Sequence, residues 1–265
     1  MDNLESRNIY NEERLISRQA LYSDRSTPYS RELVDIRLNL IKQYSQGKRI
    51  LDLCCGTGAY LTPISSSAKT SVGLDFSLGM LREFSRLISQ SGVLSRIGLV
   101  AADANDPPLA SRSFDLVFSY IALYQVPNVQ KAIHQTARVL DNGGIAILEL
   151  GNQNSINARI SLLSYKQGKS AKPFLIPYKE MHNLINGAGF RILEHRVFQI
   201  LPMWGPRTIV YLPVTTKLWK HILGLKFKGR MLDEWISSSR WLRRYAFRHF
   251  VICQKGKDYS GSLIK

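Results

Sequence analysis

The chain of 265 residues alternates short apolar runs with segments of helical period. The segments of helical period repeat apolar residues every three or four positions, which is typical of amphipathic helices. Strands and helices in alternation predict parallel strands joined by crossovers, with helices on both faces of a sheet. The predicted fold class is therefore α/β, with a doubly wound, mostly parallel, Rossmann-like sheet. The five predicted strands are Arg49–Leu53, Ser71–Leu74, Ile97–Ala101, Phe114–Ser119 and Ile145–Leu150.

Further elements flank this core. Thr27 and Pro28 offer an N-cap and a first helical position, and Gly47 ends the apolar period, so an amphipathic helix is expected over residues 28–46. About 25 residues after Gly151 are rich in Asn, Ser and Lys and are expected to form an insertion or lid. The remaining predictions are a helix at Pro177–Ala188, a strand at Phe190–Phe198, partly helical structure over 201–245 and a last strand at Arg248–Gln254.

Composition excludes several classes of protein. Hydrophobic residues make up 45% of the chain and charged residues 21%, which excludes wholesale disorder. The longest stretch without Asp, Glu, Lys or Arg, residues 53–68, contains glycines, serines and a proline, so no transmembrane helix is expected. The polar, acidic N-terminus does not resemble a secretory signal, and the expected location is the cytoplasm. Three cysteines lack disulfide or zinc-ligand spacing, and no metal is expected.

Charge divides the chain unevenly. Residues 1–150 hold 16 Lys and Arg against 15 Asp and Glu, whereas residues 151–265 hold 20 against 5 and contain all four tryptophans. A solvated helical face would explain the charges alone. Over 199–248, however, basic residues are interleaved with tryptophans and apolar residues. That pattern favours contact with a membrane surface or with an anionic, lipid-linked substrate over contact with RNA.

The strongest chemical signal is the sequence ILDLCCGTGAYL at Ile50–Leu61, where a strand enters a glycine-rich turn. Gly56 and Gly58 permit positive φ and the close approach of a ligand to the backbone. The spacing differs from the GxGxxG of a pyrophosphate-binding turn, so a nicotinamide-dependent dehydrogenase is a weaker interpretation. Asp52 places a carboxylate at the end of the strand, where open α/β sheets bind ligands, and would suit an ammonium group.

Two further aspartates follow neighbouring strands. Asp75 lies nineteen positions after Gly56, close to the spacing at which an acid accepts both hydroxyls of a ribose. Asp103 follows the third strand and is placed to accept a hydrogen bond from an exocyclic amine such as adenine N6. An aspartate after a strand is also commonly a cap, and Asp103 could instead cap the turn at residues 106–108. With Asp52, these acids match an ammonium group, a ribose and an adenine.

Four ordered motifs resemble those of class I S-adenosylmethionine-dependent methyltransferases. The resemblance is greatest to methyltransferase type 11 and to the ubiquinone and menaquinone biosynthesis methyltransferases. The motifs cover about Ile50–Leu150 and are ILDLCCGTG, VGLDFSLGML, AADANDPPLASRSFDLVFSYIALYQVPN, and RVLDNGG before IAILEL. Cys54 replaces the family's first motif glycine, as in quinone-pathway members. Tyr124 and Gln125 stand where many relatives carry histidine, which weakens the case for a histidine base from that loop.

The resemblance implies a bound S-adenosylmethionine and assigns residues to it. Relatives whose N-terminal helix covers the cofactor also suggest that Tyr22 and Tyr29 fold over the substrate site, with ordinary buried tyrosines as the alternative. The implied cofactor-binding residues are Asp52, Cys54, Gly56 and Gly58 at the methionine portion, Asp75 at the ribose, Phe76 and Met80 against the adenine, Asp103 and Ala104 at the adenine edge, and Ser119 after the fourth strand.

Methyl transfer from a sulfonium needs an acceptor held about 3 Å from the methyl group and the exclusion of water. A hydroxyl acceptor must also lose its proton. Tyr124, on the loop after the fourth strand, is the leading candidate in the substrate site, with packing as its alternative role. His182 is a second catalytic candidate, in the helix after the lid.

The sequence therefore predicts an S-adenosylmethionine-dependent methyltransferase that O-methylates a small or lipid-linked, anionic acceptor, such as a glycan precursor or a quinone-like compound. The alternatives are an RNA methyltransferase that uses the basic C-terminal region, and a catalytically inactive cofactor-binding module. Residues 1–47 are expected to form an N-terminal helical cap and 48–151 the S-adenosylmethionine-binding core. Residues 152–265 are expected to complete the sheet and to carry the lid and a basic, aromatic, partly helical insertion that faces the substrate, with peripheral contact to a membrane.

Overall fold

The computed structural model describes residues 27–90, 97–168, 170–201 and 217–256. The strands are β1 (Arg49–Leu53), β2 (Thr70–Asp75), β3 (Ile97–Ala101), β4 (Phe114–Ser119), β5 (Leu140–Gly151), β6 (Phe190–Phe198), β7 (Lys226–Phe227), β8 (Arg230–Met231) and β9 (Arg248–Lys255). Seven of them form one sheet with the order β3-β2-β1-β4-β5-β9-β6, and β7 and β8 form a separate hairpin.

Strands β1 to β5 are parallel to one another, and β9 runs antiparallel to both β5 and β6. The chain moves outward from β1 to β3, then returns to place β4 on the other side of β1. This reversal between β1 and β4 is the position at which open α/β sheets bind ligands. The predicted α/β class, with a doubly wound and mostly parallel Rossmann-like sheet, is confirmed.

Helices cover both faces of the sheet. They are α1 (Pro28–Ser45), α2 (Leu78–Gln90), α3 (Val129–Val139), α4 (Ile156–Lys166), α5 (Tyr178–Gly187), α6 (Lys217–Leu223) and α7 (Leu232–Ser237). Apolar residues of α1 and α2 pack on one face with the side chains of Ile50 and Leu116. Apolar residues of α3 and α5 pack on the other face with Leu51 and Val117. Successive strand residues therefore enter opposite cores, as the two-residue period of a strand requires.

The N-terminal helix α1 begins as its sequence predicts. The Thr27 side chain accepts a hydrogen bond from the backbone N–H of Ser30, the Ser30 side chain accepts one from the backbone N–H of Thr27, and Pro28 occupies the first turn. This capping box satisfies two backbone donors that a helix start otherwise leaves unpaired. Gly224, after α6, lies so close to Tyr29 that a Cβ atom would stand 2.3 Å from its backbone nitrogen. The N-terminal helix is thereby packed directly against the C-terminal region.

The polar segment after β5 differs from a solvated lid. It contains α4, and Asn152, Ser155 and Asn157 are fully buried. Asn152 Nδ2 donates to the backbone oxygens of Arg244 and Ala246, and Asn157 Nδ2 donates to the backbone oxygen of Gln199. These side chains replace water as partners for backbone groups of neighbouring segments, which is what buried polar groups require. Polar composition here reflects internal hydrogen bonding.

Candidate active site

A cavity opens at the carboxyl ends of β1, β2 and β4, next to the point where the strand order reverses. Its walls come from the glycine-rich turn after β1, from the start of α2 and from the loop after β4. The lining residues are Cys54, Cys55, Gly56, Thr57, Ala59, Tyr60, Asp75, Phe76, Met80, Tyr120, Ile121, Ala122, Gln125 and Val126. Five residues assigned by family resemblance are therefore brought together: Cys54, Gly56, Asp75, Phe76 and Met80.

The turn after β1 uses left-handed backbone conformations. Gly56 has a φ of 53° and Gly58 a φ of 77°, and Cys54 has a φ of 64° although it carries a side chain. The left-handed region favours glycine, which gives a physical reason for the glycine that the resembling family has at the position of Cys54. A Cβ atom on Gly58 would lie 2.0 Å from the Phe84 ring. Gly58 is thus required for packing of α2, in addition to any contact with a ligand.

Asp75 fixes the shape of the turn. Its Oδ2 accepts a hydrogen bond of 2.8 Å from the backbone N–H of Gly56, and its Oδ1 accepts one of 2.9 Å from the backbone N–H of Ser77. Burial raises the pKa of Asp75 to about 6, against the opposing effect of these backbone donors. Each carboxylate oxygen has a second lone pair. Asp75 therefore joins the ends of β1 and β2 and can still accept hydrogen bonds from a ligand.

Asp52 is a buried carboxylate for which no hydrogen bond or ion pair occurs among the described residues, and it is only 4% exposed. Burial, and then the charge of the nearby Asp75, raise its pKa well above the ordinary value. An isolated buried carboxylate is costly unless a cation or donors compensate it. Asp52 is not among the described residues that line the cavity. Its contact with a positively charged ligand group therefore stays a prediction.

The loop after β4 is strained where it meets the cavity. Ile121 lines the cavity with a φ of 63°, a conformation that a β-branched residue rarely adopts. Such strain costs on the order of 1–3 kcal/mol and concentrates at functional sites. The adjacent Ser119 Oγ is fully buried and has no hydrogen-bond partner within the described ranges. Ile121 belongs to the loop and lines the cavity, whereas Ser119 is the last residue of β4 and is not among the lining residues. A contact between Ser119 and a cofactor stays a prediction.

Asp103 and Ala104 lie beyond the lining of this cavity. Asp103 Oδ1 accepts a hydrogen bond of 2.8 Å from the backbone N–H of Asn105, and the Asp103 carbonyl accepts one from Asp106. This is the turn-capping role that the sequence left open as an alternative. The Ala104 side chain packs in the core below α3. A role for either residue at an adenine edge stays a prediction.

The residues predicted around the substrate are not brought together. The Tyr124 ring packs on Phe247 at 5.7 Å, and the cavity lining includes Gln125 instead. Tyr29 is 4% exposed and donates a hydrogen bond of 3.1 Å to Asp233 Oδ2, which makes it a structural tie. His182 is exposed on α5 and contacts His195. Tyr22 lies outside the described residues.

Sequence patterns missed the polar groups behind the cavity. Tyr60 and Tyr120 line it, with ring centroids 5.3 Å apart, and Arg37 Nη1 donates a hydrogen bond of 3.1 Å to Tyr60 Oη. Arg37 also donates two hydrogen bonds to Glu149, and Arg248 forms an ion pair with the same carboxylate. Two buried guanidinium groups thus share one carboxylate behind an aromatic wall.

This group of charges is joined to distant parts of the chain. Arg248 Nε donates a hydrogen bond of 2.6 Å to Gln199 Oε1, and the backbone N–H of Gln199 donates one of 2.6 Å to Asp233 Oδ2. Burial raises the pKa of Asp233 above its ordinary value although several donors oppose it. The helix α1, the sheet and α7 are therefore connected through buried hydrogen bonds. We call Arg37, Glu149 and Arg248 the buried arginine pair with its carboxylate.

Three histidines form a second cluster, the histidine row, which joins α5, β6 and β9. His182 Nε2 lies 3.0 Å from His195 Nδ1, and His195 Nε2 lies 2.8 Å from His249 Nδ1. His249 Nε2 lies 3.1 Å from the carbonyl of Ala246, which can only accept, so this nitrogen carries the proton. The same logic then gives His195 and His182 protons on Nε2. Burial lowers the pKa of His195 and of His249 to about 3.

Two kinds of site are not found within the described ranges. No group of three or more His, Cys, Asp or Glu side chains there has an arrangement that could hold a metal ion. No helix there combines the length and the apolar character that a bilayer span needs.

The fold is Rossmann-like, with a doubly wound sheet, a glycine-rich turn at its reversal point and an acid that ends β2. The comparisons with known proteins give the class, which is that of the methyltransferases. A family model described as a methyltransferase domain matches residues 51–148. Aklanonic acid methyltransferase DauC from Streptomyces sp. (strain C5) is 32% identical over 187 residues, which are 69% of this chain and 72% of that relative. The chain belongs to this methyltransferase family and is an enzyme.

Other relatives agree over shorter or more divergent matches. Demethylmenaquinone methyltransferase from Staphylococcus carnosus (strain TM300) is 34% identical over 108 residues, 40% of this chain and 44% of that relative, so the match spans less than half of its length. Among solved structures, an S-adenosylmethionine-dependent methyltransferase from Mesorhizobium loti is 18% identical with a TM-score of 0.59 and coverages of 82% and 95%. The [4+2]-cyclase SpnF is 16% identical with a TM-score of 0.59 and coverages of 84% and 80%. These structures share the fold, and the family implies binding of S-adenosylmethionine.

Proposed function

We propose that the enzyme transfers a methyl group from S-adenosylmethionine to an acidic oxygen of a small, quinone-like acceptor, free or lipid-linked. The observation that carries the cofactor is the pair of acids at the turn. Asp52 lacks a positive partner among the described residues, and Asp75 retains lone pairs while it holds Gly56. A ligand with one cationic group and one pair of hydroxyls satisfies both.

The chain's own residues divide the work at this site. When bound, S-adenosylmethionine supplies an electrophilic methyl group on a positively charged sulfur. Asp52 would compensate the positive charge of the cofactor, and Asp75 would accept from its ribose. Cys54 and Gly56 give the backbone its close approach, while Phe76 and Met80 add apolar contact on the far side of the turn. Four further contacts with the cofactor are proposed at residues outside the described cavity lining: Gly58, Asp103, Ala104 and Ser119.

Among the described residues that line the cavity, Tyr60 offers a donor for an acceptor oxygen, and the carboxylate is that of Asp75, which the proposal assigns to the ribose. Burial raises the pKa values of Tyr60 and Tyr120, so both phenols keep their protons at neutral pH. Because Tyr60 Oη accepts from Arg37, its own proton is available to a ligand in the cavity. Burial also raises the pKa of the Cys54 thiol. An acceptor that ionises by itself, such as a carboxylic acid or an acidic phenol, suits these groups best.

Two observations favour a quinone-like acceptor over a glycan precursor. The wall beyond the turn is aromatic, because Tyr60 and Tyr120 pack edge to face. The buried arginine pair shares a single carboxylate behind that wall and leaves an excess of positive charge near an anionic oxygen. Two relatives are named for aklanonic acid and demethylmenaquinone, which is consistent with this choice.

The cofactor proposal predicts a loss of affinity in Asp75→Ala. Calorimetric titration with S-adenosylhomocysteine should show binding to the wild type that weakens about 10- to 100-fold in the variant, because a buried charged acceptor worth about 1–3 kcal/mol is lost. Asp75→Asn, which keeps the volume, serves where the alanine variant is poorly folded.

Asp141→Ala is the matched control for this titration, since Asp141 pairs with Arg49 at the other end of β1. Its affinity for the thioether should equal that of the wild type. NADH is titrated beside it. Binding of NADH in place of the thioether, or an unchanged affinity in both Asp75 variants, would contradict the proposed cofactor site.

The acceptor proposal predicts a different effect for Tyr60→Phe. With 2-hydroxy-1,4-naphthoquinone as an acidic probe, the variant should lose about tenfold in kcat/KM, the worth of one hydrogen bond to a charged oxygen. Its affinity for S-adenosylhomocysteine should not change. Tyr44→Phe, a half-buried tyrosine on α1 outside the cavity lining, is the control. Preferential methylation of the neutral 1-naphthol would contradict an anionic acceptor.

A division of labour along the chain is also part of the proposal. Residues 48–151 would bind the cofactor, 1–47 would cap it, and 152–265 would complete the sheet and face the substrate. Contacts between the described segments support cooperation of these parts, because Arg37 of the first reaches Glu149 of the second and Arg248 of the third contacts the same carboxylate.

A further inference from the structure

The C-terminal region carries an exposed surface with an unusual composition, which we call the basic aromatic surface and define as residues 225–245. Several large apolar side chains on it are exposed, up to 74% for Trp241. The surfaces of soluble proteins rarely concentrate exposed apolar side chains in one place without a binding function. The exposed apolar residues are Leu225, Phe227, Trp235, Trp241, Leu242 and Tyr245.

The charges that reach solvent on this surface are positive. Its two acids, Asp233 and Glu234, are 0% and 1% exposed. Asp233 accepts from Tyr29 and from the backbone of Gln199, and Glu234 is held by Arg196 and Arg230. Lys226 is partly neutralised by Glu32 of α1. Because both acids point inward, the exposed positions are left to apolar and basic side chains. The exposed basic residues are Lys226, Lys228, Arg240 and Arg244.

Basic and aromatic groups are interleaved at close range. The Arg230 guanidinium lies 5.1 Å from the centroid of the Trp235 ring, and that of Arg244 lies 4.9 Å from the centroid of the Tyr245 ring. Trp235 Nε1 donates to the backbone oxygen of Phe227, which fixes its ring against the β7–β8 hairpin. Arg230 also reaches Ser238, three residues before Trp241. The hairpin and the turn after α7 therefore form one continuous surface.

We propose that the basic aromatic surface docks the enzyme on a bilayer that contains anionic phospholipids. Tryptophan and tyrosine favour the headgroup level of a membrane, and leucine and phenylalanine favour its acyl boundary. Arginine and lysine beside them attract anionic lipids. Exposed aliphatic side chains such as Leu225 and Leu242 add nothing to a nucleic-acid site, which reads phosphates and stacks bases. The combination thus fits a lipid surface better than RNA.

Vesicle sedimentation tests this proposal with vesicles of phosphatidylcholine alone and of phosphatidylcholine with phosphatidylglycerol. The wild type should bind the anionic vesicles, and binding should weaken as salt is added. Arg240→Gln with Arg244→Gln should reduce the partition coefficient roughly 25-fold, from about fivefold for each basic residue near the surface. Trp241→Ala should reduce binding to the same anionic vesicles by at least tenfold through lost apolar contact.

Matched controls separate this surface from the high net charge of +16. Lys131→Gln with Lys179→Gln removes two exposed charges on α3 and α5 and should change binding less than twofold. Leu242→Ala, with 39% exposure, should weaken binding several-fold more than Leu163→Ala, with 41% exposure on α4. Titration with S-adenosylhomocysteine verifies that each variant is folded, and failure of that titration in the wild type would count only against the proposed cofactor.

Two outcomes would overturn the membrane proposal. One is equal binding of the arginine double variant and its lysine control to anionic vesicles, because the charge would then act without regard to position. The other is a wild type that ignores vesicles and shifts an RNA duplex in a gel at the same salt, with loss of the shift in the arginine variant. That result would assign the surface to nucleic acid.

Discussion

Replacement of Glu149 by alanine is expected to lower the free energy of unfolding by about 3–5 kcal/mol. The side chain is fully buried and pairs with both Arg37 and Arg248, so its loss leaves two guanidinium groups in the core without this counter-charge. Burial by itself would raise the pKa of Glu149, but the two arginines outweigh it and hold the pKa below its ordinary value. Urea unfolding followed by circular dichroism measures the difference.

The control is Glu194→Ala on β6. Its side chain is 49% exposed and lies 3.8 Å from Arg196, so the change should stay within about 0.5 kcal/mol. Glu149→Gln keeps the shape and loses the charge, and it should be almost as unstable as the alanine variant. If Glu149→Ala cost less than about 1 kcal/mol, the arginines would have found other partners, and the buried arrangement described above would be wrong.

Acidification from about pH 7.5 to about pH 4.5 is expected to remove about 5 kcal/mol of stability through His195 and His249. Burial lowers the pKa of each to about 3 in the folded protein, whereas an unfolded histidine titrates near 6.5. Below about pH 6.5 the unfolded chain therefore binds protons that the folded chain does not. As the pH is lowered below about 6.5, the free energy of unfolding decreases by about 1.4 kcal/mol per pH unit for each histidine, until the pH reaches the pKa of the folded state.

Buried carboxylates with raised pKa values, those of Asp52, Asp75 and Asp233, act in the opposite direction, so the histidine effect must be measured as a difference. Burial raises the pKa of Asp75 to about 6, and the folded state gains stability as that carboxylate is protonated below this pH. Unfolding of the wild type is therefore compared with that of His195→Gln combined with His249→Gln at each pH. The slope of the unfolding free energy against pH gives the number of protons bound on unfolding. In the double variant this number should be smaller by nearly two.

His134→Gln, a substitution on α3 outside the histidine row, should leave this difference unchanged. Arg243 Nη2 lies 3.4 Å from His195 Nδ1, and Tyr178 packs on His249, so the row faces one permanent positive charge and one aromatic ring. Parallel pH profiles for the wild type and the double variant would mean that both histidines bind protons equally in the folded and unfolded states. That result would contradict the lowered pKa values of His195 and His249.

Local pattern was sufficient for most of the sheet. The bounds of β1, β3 and β4 agree with their apolar runs. For β1 and β4 the reason is that parallel strands buried on both faces are continuous hydrophobic segments, whereas β3 is a partly exposed edge strand. The fifth strand begins at Leu140, five residues before its apolar run. Residues 140–144 include Asp, Asn and two glycines, which are typical of turns. They are supported from the neighbouring strand β9, where Lys255 Nζ donates a hydrogen bond to the carbonyl of Leu140. Such support from a distant segment is invisible in the local sequence.

The cofactor half of the site was more predictable than the acceptor half. Glycine turns and acids that end strands occur at fixed short spacings, and Gly56 and Asp75 indeed meet through a hydrogen bond. Arg37 and Glu149 are 112 positions apart, so no local pattern relates one to the other. Only the packing of α1 on the sheet makes them partners. Tyr124 was chosen from the correct loop, but its ring turns towards Phe247 and leaves Gln125 at the cavity.

The position of β9 governs how the molecule can be made. This strand is the last of the described strands in sequence, yet it lies between β5 and β6 and pairs with both. Synthesis proceeds from the N-terminus at about 5–20 residues per second, so Ile145–Gly151 is made before the residues of β9 that pair with it. Open apolar edges pair readily with other chains. The nascent enzyme is therefore most vulnerable to aggregation in the interval before residues 248–255 leave the ribosome.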